Sequence, residues 1–341
     1  MILVTGGTGL VGSYLLFALT AKGEKVRALI RSNQHIQNIR EIFHFLNANS
    51  VQFSLIEWVE GDVTDFYSID LAMNGVEQVY HCAAKISFDP RDRKSMIYTN
   101  VEGTSNIVNA CLQHKVRKLC HVSSIASLGN AEQGDFIDEN SKWKTSKRNS
   151  GYAISKYGSE REVWRGIEEG LNAVIVNPSV ILGASSHPKA TNRLFHSIEK
   201  MIPFYNEGVN GYVDVRDVVN AMILLMESPV SGERFVLNSE NLSLRELFTL
   251  AAGLLGKKPP FIPVGKVLMS LAWRLEWVRS RFTGKTALIT RENMRSAQSK
   301  TYYSSKKFAE RFQYSFIPVK KSLQDAFIIL GKIDHEVKPL K

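Results

Sequence analysis

Between residues 1 and 182 the chain alternates two kinds of apolar pattern. Short runs rich in Val, Ile and Leu suit strands buried on both faces; they fall at Met1 to Thr5, Lys25 to Arg31, Ser54 to Glu60, Gln78 to Cys82, Lys118 to Ser123 and Asn172 to Asn177. The stretches between them carry apolar positions at helical spacing. Strand followed by helix, repeated, predicts an α/β fold with a doubly wound parallel sheet covered on both faces. After Gly183 the rhythm breaks. A helix is expected near Asn192 to Met201, a short extended segment at Tyr212 to Val215, a helix through Met226, a strand at Arg234 to Asn238 and a mainly helical last hundred residues.

The opening MILVTGGTGLVGSYLLFAL reads as a strand, a glycine turn and an apolar helix in direct succession. Gly7, Gly9 and Gly12 satisfy GxGxxG, and Gly6, Gly9 and Gly12 satisfy GxxGxxG. Either spacing permits a tight turn, close backbone approach to a pyrophosphate and tight packing of helix on strand. The diphosphate would rest on the amides of the helix N-terminus, so Gly6, Gly7, Thr8, Gly9, Leu10, Val11 and Gly12 are the expected cradle. On this reading residues 1–182 form a Rossmann domain, completed by about 209–238. Residues 183–208 and 239–341 form a smaller, mainly helical lobe that binds substrate across a shared cleft.

The end of the second strand sets the choice of cofactor, because an Asp or Glu there would bind a free ribose and repel a 2′-phosphate. This chain has neither: it reads VRALIRS, with Arg31 and Ser32 at the strand end. A guanidinium pairs a phosphate through two parallel hydrogen bonds, so NADP(H) is expected in preference to NAD(H).

In Tyr152-Ala-Ile-Ser-Lys156 the tyrosine and lysine stand four apart, hence on one face of a helix. A phenol with its pKa near 10 becomes useful at neutral pH once a neighbouring ammonium stabilises its anion. Upstream, the fifth strand ends in His121-Val-Ser-Ser-Ile-Ala-Ser-Leu-Gly129 and places hydroxyls at the carboxyl edge of the sheet. A serine there can bind a substrate carbonyl or satisfy local backbone groups.

Composition narrows the classes. At 341 residues and 44% hydrophobic content the chain can build one large core and a second lobe. The net charge of +10 is scattered apart from short clusters such as Lys142 to Arg148, so a solvated basic surface is expected and no nucleic-acid partner. Three cysteines without CxxC pairing argue against a disulfide framework or a metal site. With a first strand at residue 1 and no apolar run of membrane-spanning length, no transmembrane segment and a cytoplasmic location are expected. Val264 to Val278 is amphipathic, with a core-facing helix, a pocket lining and a membrane contact as its readings.

Glycine turn, serine-bearing strand end and YxxxK, in this order, resemble the extended short-chain dehydrogenase/reductase family. Its adenine-contacting segment is similar to GDVTD, which implies Asp62 and Val63 as contacts. HCAAK resembles the segment beside the cofactor ribose, implying Ala83, Ala84 and Lys85, and NVEGTSNIV resembles the helix that follows, beginning at Asn100. The resemblance makes Ser124 the catalytic serine, with Ser123 beside the cofactor, and NPSVILG implies Pro178, Ser179 and Val180 near the nicotinamide. YVDVRDVV resembles a later segment whose Asp217 is structural.

The second lobe and the TYYSSKKFAERFQYSFIPVKKSLQDA ending look most like the branch of dihydroflavonol 4-reductases and 3β-hydroxysteroid dehydrogenases. Nucleotide-sugar epimerases usually carry an arginine ahead of the YVDV-like segment; here that place reads GVNGYVDV. Phe88, Phe204, Tyr205 and Trp273 instead suggest an apolar or aromatic substrate. The implied function is NADP(H)-dependent reduction of an aldehyde or ketone of a mainly apolar small molecule. Ser124, Tyr152 and Lys156 would be catalytic, no metal is needed, and the chain would be a monomer or homodimer. A nucleotide-sugar epimerase or dehydratase and a non-catalytic NADP-binding regulator are the alternatives.

Overall fold

The computed structural model describes residues 1–33, 36–46, 48–87, 89–129, 136–146, 149–184, 203–265, 273–274, 279 and 298–331. The helix expected near Asn192 to Met201, Phe88 and most of Val264 to Val278 lie outside these residues.

Seven parallel strands form the main sheet: β1 (Ile2–Thr5), β2 (Val26–Ile30), β3 (Ile56–Glu60), β4 (Gln78–His81), β5 (Lys118–Val122), β6 (Ala173–Pro178) and, later in the chain, β10 (Glu233–Leu237). Their order is β10-β6-β5-β4-β1-β2-β3. The order reverses between β1 and β4, which opens a crevice at their carboxyl ends. Helices α1 (Leu10–Ala21), α2 (Ile36–Phe45), α3 (Ser50–Ser54), α4 (Phe66–Ala72), α5 (Arg93–Gln113), α6 (Gly151–Glu168) and α7 (Val215–Glu227) connect and cover the strands.

The apolar strand runs divide between the two faces as a period of two requires. Ile2, Val4, Val26, Ala28, Val174 and Val176 pack with α1, α2 and α7. Leu3, Leu29, Val79, Leu119, Ala173 and Ile175 pack instead with Ile107, Val108, Cys111 and Val163 of α5 and α6. Helix α1 is apolar nearly all round because it is enclosed: Tyr14, Leu15, Leu16 and Leu19 are all buried.

A second core surrounds a three-stranded sheet, β11-β9-β7, formed by β7 (Val180–Leu182), β9 (Val209–Asp214) and β11 (Glu240–Ser243). Tyr212, Leu247, Phe248, Leu323 and Phe327 are buried there, carried partly by α8 (Leu244–Leu254) and α10 (Val319–Ile329). Strands β8 (Phe204–Tyr205) and β12 (Ile262–Pro263) make a small parallel pair, and α9 (Lys306–Phe312) packs Phe308 on Phe235 of β10.

Several expected boundaries shift for local reasons. Ser54 closes α3, begun by the Asn49 and Gln52 capping box, so β3 starts at Ile56. The extended segment at Tyr212 begins earlier, at Val209, and stops where the Asp214 side chain caps α7, making Val215 helical. Strands β7, β8, β11 and β12, and helix α3, are too short to leave a periodic signal.

Asp217 on α7 ties the chain's last helices to the sheet. Its carboxylate accepts the Tyr314 hydroxyl at 2.8 Å and the Ile317 amide at 2.9 Å. Burial raises its pKa to about 6, with those two hydrogen bonds opposing. A carboxyl whose folded pKa exceeds its unfolded value of about 4 stabilises the fold most below that value, and this contribution fades as pH rises through about 6. Relative to wild type, Asp217→Asn should therefore gain about 2 kcal/mol between pH 4 and pH 7, read from paired urea midpoints. A stability difference between the two proteins that is constant with pH would contradict this.

Candidate active site

Three elements build the floor of the crevice. Gly6 has φ of +69° and stands so close to the segment after β4 that a β-carbon on it would lie 2.6 Å from the Ala83 amide nitrogen. A β-carbon on Gly12 would overlap the Gly6 carbonyl oxygen, so the missing side chain is what lets α1 start against the turn. Gly9 is exposed and serves as N-cap of α1, with no side-chain cap and no acidic residue in the first turn. That leaves an uncapped positive helix end at the sheet's switch point, with Thr8, Leu10 and Val11 half-buried around it, and it fits a dinucleotide's phosphates.

Arg31 is exposed and Ser32 half-buried, both just beyond the last residue of β2. On the neighbouring strand Asp62 accepts the Thr64 amide and hydroxyl, each at 2.8 Å, which fixes the turn after β3. Val63 packs against Gly103 of α5, and its carbonyl accepts Asn106 at 3.1 Å.

Asn100 clamps the segment after β4, accepting from the Lys85 amide at 2.7 Å and donating to the Lys85 carbonyl at 2.9 Å. Its amide also reaches Ser155 of α6 at 3.0 Å. The Lys85 ammonium is held by Asp92 at 3.2 Å and Ser95 at 2.9 Å, so this residue's contribution to the crevice wall is its backbone. Half-buried Ala83 and Ala84 complete the segment.

Ser124, Tyr152 and Lys156 converge beyond the carboxyl ends of β4 and β5. Ser124 caps a single 3₁₀ turn, Ile125 to Ser127, accepting the Ala126 amide at 3.1 Å. Its hydroxyl is hydrogen-bonded to Tyr152. Tyr152 lies in the first turn of α6, whose N-cap Ser150 accepts the Ala153 amide. Burial raises the Tyr152 pKa, and the bond to Ser124 pulls the other way. One turn on, the Lys156 ammonium donates to the Val122 carbonyl at 2.9 Å. Burial lowers the Lys156 pKa to about 8, opposed by Cys82 and Glu160.

Beneath this group two imidazoles stack across β4 and β5, His81 on His121, with centroids 5.2 Å apart. His81 is shared between Thr5 at 2.7 Å and Thr104 at 3.0 Å, and burial lowers its pKa to about 3. Burial, then His81 and Lys156, also hold His121 well below the ordinary imidazole value. Both rings are therefore neutral supports.

Other expected residues sit as follows. Ser123 turns its hydroxyl to Glu160 at 2.7 Å. Pro178 ends β6, Val180 begins β7, and Ser179 between them is buried with its amide on the Leu237 carbonyl at 2.9 Å. Phe204 is exposed on the β8 and β12 pair, Tyr205 lies under the Arg245 guanidinium at 4.7 Å, and Trp273 under Arg274 at 5.2 Å. Motif spacing passes over Glu160, although it stands four after Lys156 on the same buried face of α6.

The profile of the NAD dependent epimerase/dehydratase family matches residues 2–238. The chain belongs to that family. It is an extended short-chain dehydrogenase/reductase and an NAD(P)-dependent oxidoreductase-type enzyme. A putative dihydroflavonol 4-reductase from Synechocystis sp. is 29% identical over 331 residues, covering 95% of this chain and 92% of the relative. Sterol demethylase protein B of Methylococcus capsulatus is 31% identical, covering 78% of each. The solved structure of gox2253 superposes with a TM-score of 0.78 at 28% identity, over 98% of this chain and 99% of that one. Among the described residues no helix is long and apolar enough to cross a membrane, and no group of three or more His, Cys, Asp or Glu side chains could hold a metal ion.

Proposed function

We propose that this enzyme reduces the carbonyl of a mainly apolar small molecule with NADPH. The observation that carries the reading is the Ser124–Tyr152 hydrogen bond, with Lys156 one turn away, at the carboxyl edge of a sheet whose switch point holds the glycine cradle. NADPH, when bound, supplies the hydride. Gly6 to Gly12 and the α1 N-terminus would hold the pyrophosphate, Asp62 and Val63 the adenine side, and Pro178 to Val180 the nicotinamide side. Ser124 holds the substrate oxygen, Tyr152 gives it a proton, and Lys156 places a positive charge on the tyrosine's own helix face.

Arg31 and Ser32 support the phosphorylated cofactor. Arg31→Ala should weaken NADPH binding by about tenfold or more and leave NADH unchanged, measured by titration of both. Equal affinity for both cofactors in wild type, indifferent to this substitution, would remove the preference.

The apolar substrate is supported by the relatives' names, which speak of a dihydroflavonol and a sterol. The absence of an arginine in GVNGYVDV supports it too. The test is NADPH consumption against aromatic aldehydes, ketosteroids, flavonoid-like ketones and nucleotide sugars. Turnover confined to the apolar carbonyls is expected. Turnover of nucleotide sugars with a tightly retained cofactor would replace the reading with an epimerase, and firm NADPH binding without any turnover would replace it with a regulator.

A further inference from the structure

Glu160 is a carboxylate sealed inside the protein, 2% exposed. Its Oε2 accepts three donors, from Ser123 at 2.7 Å, Ser127 at 2.6 Å and Asn177 at 2.8 Å. Its Oε1 accepts Arg234 of β10 at 2.9 Å and the Trp164 indole at 3.3 Å. Burial alone would raise its pKa, yet the serine hydroxyls and Arg234 together bring it below the ordinary carboxylate range. A charge satisfied this fully at depth is costly to build and strongly destabilising to half-remove.

The partners lead to the catalytic serine from two directions. Asn177 also donates to the Ser124 carbonyl at 3.2 Å and to Ser127 at 2.9 Å, so the 3₁₀ turn bearing Ser124 hangs on the carboxylate. Arg234 also donates to the Glu139 carbonyl at 2.9 and 2.6 Å and to the Ser141 carbonyl at 3.2 Å. Residues 136–146 belong to the connection between Ser124 and Tyr152 in the chain. They are seated further by Trp143 stacked on Tyr157 of α6 at 4.4 Å and by Glu139 accepting the Val236 amide at 2.7 Å.

We propose that Glu160 is a positioning residue for the proposed reaction: through Ser127, Asn177 and Arg234 it fixes the Ser124 turn against Tyr152. This rests on the carbonyl-reductase reading for its kinetic consequence only. Facing Lys156 are His81 and Cys82 from the end of β4, His121 from β5, and Tyr152 and Glu160 from α6. His81 and His121 are held neutral by burial, and burial pushes the Cys82 thiol up to about 12. Glu160 is thus the anion in this set at neutral pH, with Arg234 as its own counter-ion.

Glu160→Gln keeps the shape and removes the charge. Two readouts are needed, one independent of turnover. The first is ionisation of Tyr152, followed as the ultraviolet phenolate difference between each protein and its Tyr152→Phe counterpart. With the Ser124 turn freed, Tyr152 loses the hydrogen bond that opposes its burial, so this titration should move to higher pH, whereas a purely structural role would leave it in place. The second is steady-state kinetics with the best carbonyl, where kcat should fall by about 10²-fold with KM and NADPH affinity little changed, as misplacement of one reacting partner predicts. Ser127→Ala, which removes one link to the Ser124 turn, should lower kcat less and move the Tyr152 titration less in the same direction, and it serves if Glu160→Gln folds poorly. An unmoved titration in Glu160→Gln, or kcat equal to wild type, overturns the proposal even if Tyr152→Phe is inactive. A titration moved to higher pH in a protein that reduces no carbonyl would uphold the positioning role and overturn the reductase reading instead.

Discussion

Replacing Tyr152 with Phe is expected to lower kcat by about 10²- to 10⁴-fold, the usual contribution of a positioned general acid, while NADPH binds as in wild type. The hydroxyl is the only group removed. Ser124 keeps its bond to the Ala126 amide, and the lost Tyr152 to Ser124 bond should cost about 1 kcal/mol of stability, too little to unfold the chain. Because the ring remains, the cleft keeps its shape, and an effect on kcat rather than on cofactor binding identifies proton transfer as what was lost. Thermal midpoints and NADPH titrations of the same preparation separate this from misfolding. Full activity in the variant would remove the mechanism.

Gly12→Ala should have the second-largest effect, on binding. The new methyl group would overlap the Gly6 carbonyl oxygen and lie 2.8 Å from the Gly7 Cα, both backbone atoms held by the turn. Forcing them apart should cost about 1–3 kcal/mol of stability and weaken cofactor binding by about tenfold or more, because the α1 amides lose their aim. Gly253 provides the contrast. It lies inside α8, where a β-carbon would meet nothing within 4 Å, so Gly253→Ala should be neutral or stabilise by up to about 1 kcal/mol. A Gly12→Ala protein with wild-type NADPH affinity would show that the glycine spacing serves the turn and not the cradle.

Strand and helix order up to residue 182 is legible in the sequence because the strands of the main sheet, the edge strand β3 apart, are largely buried on both faces and so read as continuous apolar runs. The same physics hides the short strands. β7 and β11 have three and four residues, and their pairing with β9 is set by contacts distant in the chain. Motif spacing places Ser124, Tyr152 and Lys156 because helical periodicity and strand-end position are local facts.

Destinations of side chains are not local. Ser123 and Ser124 are adjacent hydroxyls, yet one faces Glu160 and the other Tyr152 because an extended backbone sends neighbours to opposite sides. Lys85 and Asn100 read as cofactor contacts from their segments. Their side chains are occupied by Asp92 and Ser95 in one case and by the Lys85 backbone and Ser155 in the other. Arg234 reaches Glu160 across 74 residues of chain, a pairing that no window of sequence contains.

The most direct test of hydride transfer follows the hydrogen itself. Wild-type enzyme is supplied with NADPH deuterated at the transferring position and with the apolar carbonyl it turns over fastest, and the alcohol product is analysed by mass spectrometry and NMR. One deuterium at the new carbinol carbon is the predicted result. Oxidised cofactor accompanied by an unlabelled product would contradict it.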